Sequence, residues 1–104
     1  MTQSVAINGA RGEVEIVIDG APYRLCLTLG ALAEIESALG CLSLQDLEGR
    51  MQQVSAGDIV RLVQALLRGG GDASAAAGLV ENALDVVGAA RSVAAAFRAA
   101  VDRS

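Results

Sequence analysis

At 104 residues the chain has the size of one small domain, and its hydrophobic fraction of 53% at a mean hydropathy of +0.47 is enlarged by alanine, which packs closely but adds little apolar area. It has no histidine and all eight of its basic residues are arginine, which excludes imidazole bases and ligands, Schiff-base lysines and the phosphate-binding lysine of a P-loop. A net charge of −4 with a pI near 4.6 has the wrong sign for affinity drawn from neutralising phosphates, so no nucleic-acid partner is expected.

Residues 1–12, with Gly9 and Gly12 and little periodicity, read as a flexible N-terminal arm, and 13–104 as a single hairpin-plus-helices domain. In "EVEIVI" and "YRLCLTL" apolar and polar residues alternate at period two, which predicts strands. Between them, "DGAP" offers Asp19-Gly20 as a two-residue type I′ turn, which pairs Ile18 with Ala21, Ile16 with Tyr23 and Val14 with Leu25 on one apolar face. Pro22 then falls opposite Val17, where its missing N–H costs no ladder bond.

From Thr28 the apolar period lengthens to that of a helix. Thr28 caps a predicted helix carrying Leu29, Leu32, Ile35 and Leu39 and ended by Gly40. Gly30, in its first turn, is expected to let the hairpin pack close to the helix start, so that its enlargement would cost more than that of Gly49. "SLQDLEGRM" has Ser43 three residues before Asp46 and a stripe of Leu44, Leu47 and Met51. "SAGDIVRLVQALLRGGG" repeats the device with Ser55 and Asp58, and Ile59, Leu62, Val63, Leu66 and Leu67 make it the most strongly amphipathic segment. Beyond the glycines, Leu79, Val80, Ala83, Leu84 and Val87 mark a further helix with Gly88 as its stop or as the start of the next. Ala90, Val93, Ala94, Phe97 and Val101 mark the face of a last one. The predicted fold class is α+β, mostly α: an N-terminal β-hairpin followed by four or five short helices.

Chemistry-bearing patterns are sparse. Gly69–Gly71 follows a helix, not a strand, and lacks the spacing of a phosphate loop; a helix-to-helix turn explains it. The pairs Glu13/Glu15 and Glu34/Glu36 read as solvated charge. Ser43 to Arg68 can be drawn as a helix-turn-helix offering Arg50, Arg61 and Arg68 to DNA, but Glu48, Asp58 and Asp72 lie beside them. Cys26 and Cys41 read as free thiols. No uncharged apolar run approaches the ~18 residues of a membrane span, and "MTQSVAINGARGE" lacks the regions of a signal peptide, so a cytosolic location is expected. No catalytic residue, cofactor or metal site is assigned. The apolar stripe of Leu62, Leu66, Val80, Leu84, Val93 and Phe97 should hold both the core and any partner-binding groove, and the sequence does not divide the two.

The order "GEVEIVIDGAPYRLCLTLGALAEIESALG", "SLQDLEGRM", "DIVRLVQALLRGGG" resembles the small tail proteins of gene transfer agents and related siphophages, over about Arg11 to Phe97. These are grouped with phage tail assembly chaperones, although some labels make them tail tube proteins. The resemblance implies a non-enzymatic role: binding the long, helical tape measure protein, with self-association, and keeping it soluble until tube subunits displace the chaperone. Many such chaperones carry a longer, frameshift-derived extension; this chain ends at "VDRS", so either a separate product supplies that part or the short form suffices. Its alternative is a structural component retained in the tail, and a third reading is a DNA-binding regulator. Tube subunits generally build β-sandwiches, and the two strands predicted here favour the chaperone.

Overall fold

The computed structural model describes residue 7 and residues 12–79 and 84–103. Most of the expected arm, and Val80 and Ala83 of the expected fourth helix, lie outside the described residues. The remainder is the predicted α+β arrangement: a hairpin, β1 (Glu13–Ile18) and β2 (Ala21–Cys26), then α1 (Leu29–Leu39), α2 (Leu44–Met51), α3 (Ala56–Gly69), α4 (Ala73–Gly78) and α5 (Val86–Arg103).

The hairpin has the predicted register, with Ile16 opposite Tyr23, Val14 opposite Leu25 and Pro22 opposite Val17. Asp19 at φ 53° and Gly20 at φ 82° both occupy left-handed backbone, as a type I′ turn requires. Ile16, Ile18 and Leu25 are buried and Val17, on the other face, is exposed. Glu13 departs from expectation: it is buried rather than solvated, opposite the equally buried Cys26, because the base of the hairpin is covered on both faces. Neither Cys26 nor Cys41 is in a disulfide.

The helices start where short polar side chains take their first amides. Thr28, Ser43, Ser55 and Asp72 accept from Ala31, Asp46, Asp58 and Ala75, and Gly40 closes α1 in left-handed backbone. Ser55 and Asp58 form a reciprocal capping box; at α2 the Asp46 carboxylate instead takes the N–H of Leu42 at 3.1 Å.

Central to the core is α3. Its Ile59, Leu62, Val63, Leu66 and Leu67 are buried, and it packs against α1, β2, α4 and α5. A Gln64 Nε2 bond of 3.3 Å to the Ala76 carbonyl ties it to α4. The helix α5 lies across the hairpin, where the Ser92 hydroxyl donates to the Glu15 carbonyl at 3.4 Å. Its buried residues are Ala89, Val93 and Ala96, so the buried face is turned from the predicted one, and Ala94 and Val101 are exposed. Gly88 lies within the first turn of α5 and is not a stop.

Glycine is placed differently from the sequence reading. A β-carbon on Gly30 would find only the Thr28 hydroxyl at 3.9 Å, so no close packing explains it, and Gly49 has nothing near. A β-carbon on Gly69 or Gly70 would instead overlap the carbonyl oxygen of Cys26 or of Arg24. The outer edge of β2 is therefore closed by the glycine end of α3, and only Gly71 of the three, at φ 90°, is there for its backbone freedom.

Candidate functional site

Several charged side chains serve the structure. Asp58, buried at the start of α3, accepts from the Ser55 N–H at 3.0 Å and from Arg50 at 2.7 Å, with Arg61 3.8 Å away. The Ser55 amide, and after it Arg50, hold its carboxyl below the ordinary aspartate value against the opposing effect of burial. It stays ionised and has its acceptors filled, which is the reverse of what a general acid needs. Arg68 forms a forked pair with Glu34, Nε lying 2.9 Å from each carboxylate oxygen; its partner is not the neighbouring Asp72, which caps α4. That hydrogen bond lowers the Glu34 carboxyl and raises the Arg68 guanidinium from their usual values. Arg50, Arg61 and Arg68 are thus all committed to acids, and no basic face for DNA forms from them. Among the described residues no group of acids and thiols could hold a metal ion, and no helix is long and apolar enough to cross a membrane.

What the surface does offer is an apolar groove of about 480 Å³, between the start of α3 and the first turns of α5. Val54, Ala56 and Ile59 form one wall, and Val86, Val87 and Ala90 the other, with Arg91 at the rim. Val86 and Val87 are exposed in the first turn of α5, just after Asp85, whose carboxylate takes the Gly88 amide at 3.3 Å. Such a surface is suited to apolar side chains.

The stripe anticipated for partner binding divides. Leu62, Leu66 and Val93 are in the core, Leu84 and Phe97 pack half-buried against it, and Val80 lies outside the described residues. Of the five described, none lines the groove. Its signal was available in the spacing of Val86, Val87, Ala90 and Ala94 along one side of a helix, but an alanine-rich segment shows several such sides at once.

An apolar groove suits an assembly protein, and the family match of the sequence agrees. Residues 11–103 match the family described as phage tail tube protein, GTA-gp10. The chain belongs to that family. A search of curated proteins finds no match, and neither does a search of solved structures. The resemblance drawn from the sequence thus holds at the level of a phage or gene-transfer-agent tail protein, which is a structural rather than a catalytic class. The description carries the tube label, closer to the expected alternative of a tail component than to the chaperone.

Proposed function

We propose that this tail protein is a non-catalytic component of the tail, resident in the phage or gene-transfer-agent particle and held by contacts with neighbouring tail subunits. The observation that carries this reading is the family match across nearly the whole chain. The apolar groove between α3 and α5 supplies a surface for such contacts. Mass spectrometry of purified particles tests it: the protein is expected in stoichiometric amount beside the other tail proteins. Its accumulation in the producing cells with none in particles would overturn it.

One observation favours a second reading, that of a tail assembly chaperone binding the helical tape measure protein in the cytosol of the producing cell. Tube walls are generally built from β-sandwiches, whereas the sheet described here has two strands and helices form most of the fold. On this reading the groove takes one helix of the tape measure protein at a time, with modest affinity per copy and avidity from many copies. Co-expression with that protein separates the two, since a chaperone raises its solubility and a retained component leaves it unchanged.

A further inference from the structure

Local hydrogen bonds divide the stretch between α1 and α3 into separate pieces. The Cys41 N–H donates to the Glu36 carbonyl at 2.8 Å and so belongs to the end of α1. The Leu42 N–H donates to Asp46 Oδ2 and belongs to α2, and beyond that helix an Arg50 guanidinium nitrogen donates to the Gln53 carbonyl at 2.9 Å. Ser55 is already part of α3 through its capping box with Asp58. Residues 42–53 are therefore one piece with two joints, the Cys41–Leu42 junction and Val54. We propose that this piece is a latch: it swings off the body of the domain on those joints while α1 and α3 stay folded, and Arg50 is its clasp.

Little else ties the piece down. Among the described residues its one polar link to the rest of the chain is Arg50 to Asp58, at 2.7 Å. Of its described apolar side chains Leu47 is buried, Met51 is half-buried against the core and Leu42 is exposed, whereas α3 buries Ile59, Leu62, Val63, Leu66 and Leu67. A segment with one buried leucine opens far more readily than a helix with five large buried side chains. The clasp itself is modest, since the Arg50 side chain is 37% exposed and water screens its charge. When it lets go, Asp58 keeps the Ser55 N–H at 3.0 Å and Arg61 at 3.8 Å, so opening strands no buried charge and the start of α3 is held. One of the two joints, Val54, is also part of the groove wall, so the wall shifts when the latch does. The latch is a property of the chain alone and holds whether or not tail subunits meet at the groove.

Hydrogen exchange of the full chain, followed amide by amide by NMR, tests this. In wild type the amides of residues 47–53 should share one protection, at least about tenfold below that of residues 62–67 in α3. Arg50→Met keeps the aliphatic stem and removes the clasp. It should speed exchange at residues 47–53 at least about tenfold and leave residues 62–67 within about twofold of wild type, which also shows that the variant folds. Asp58→Asn retains an acceptor for the Ser55 N–H and should have the same effect. The double variant should open the latch no further than either single one, because both remove the same bond. Wild-type protection at residues 47–53 equal to that of α3 would overturn the inference without any variant, as would protection falling off gradually from one end of α2, which is the pattern of fraying. Exchange at residues 47–53 unmoved by Arg50→Met, or quickened equally in α2 and α3, would overturn it as well.

Discussion

Gly69 lies directly against the backbone carbonyl of Cys26, so that α3 and β2 meet where no side chain fits. The Ala31 methyl lies 3.2 Å from where a β-carbon would stand, closing the space from α1 as well. Gly69→Ala must displace backbone and is expected to destabilise the domain by about 1–3 kcal/mol, as overpacking does. Gly30→Ala, exposed in the first turn of α1 with open space around it, should instead gain up to about 1 kcal/mol of helix propensity. Urea unfolding midpoints of the two variants compare them directly, and equal effects would remove the close-packing account.

The type I′ turn gives a second comparison. Asp19 holds φ 53°, a backbone that a β-branched residue adopts at a cost of roughly 1–2 kcal/mol. Asp19→Val should lower the unfolding free energy from urea titration by that amount, and Asp19→Gly should be close to neutral.

Two carboxylates link stability to acid. Asp58 and Glu34 both titrate lower in the folded chain than in the unfolded one, through the Ser55 amide and Arg68 respectively. Their contribution is complete above the ordinary values, about 3.9 for Asp and 4.3 for Glu, and is lost as the pH falls through the lower folded values. Thermal melts between about pH 6 and pH 2 should therefore fall below about pH 4. Asp58→Asn should flatten that fall more than Glu34→Gln, because Glu34 and Arg68 are well exposed and salt-screened.

Core and surface leucines should separate cleanly. Leu66→Ala, at a fully buried site on the central helix, is expected to cost about 2–5 kcal/mol. Leu42→Ala should fall within about 0.5 kcal/mol of wild type in the monomer. A calorimetric melt of dilute protein measures both.

The hairpin and α1 to α3 were legible because their signals are local: a turn dipeptide, a capping side chain three residues before its amide, a leucine period. What failed was long-range. Nothing near Gly69 in the sequence announces Cys26, more than forty positions earlier, so the glycines looked like a turn while Gly30, beside a strand, looked like the packing point. Likewise Asp72, the acid nearest Arg68 in the sequence, caps α4, while Arg68 pairs with the distant Glu34. The groove was missed because alanine and valine on α5 satisfy more than one buried face, and only the position of α3 selects among them.

The two glycines at the end of α3 also index the helix against the strand. Leucine faces tolerate sliding, since one branched side chain replaces another at modest cost. Gly69 and Gly70 resist a slip in one direction, because it would bring the Arg68 side chain to a carbonyl that admits only hydrogen. Helix and hairpin are thus stopped in that direction by exclusion rather than by attraction, and any surface built across α3 and α5 inherits that limit.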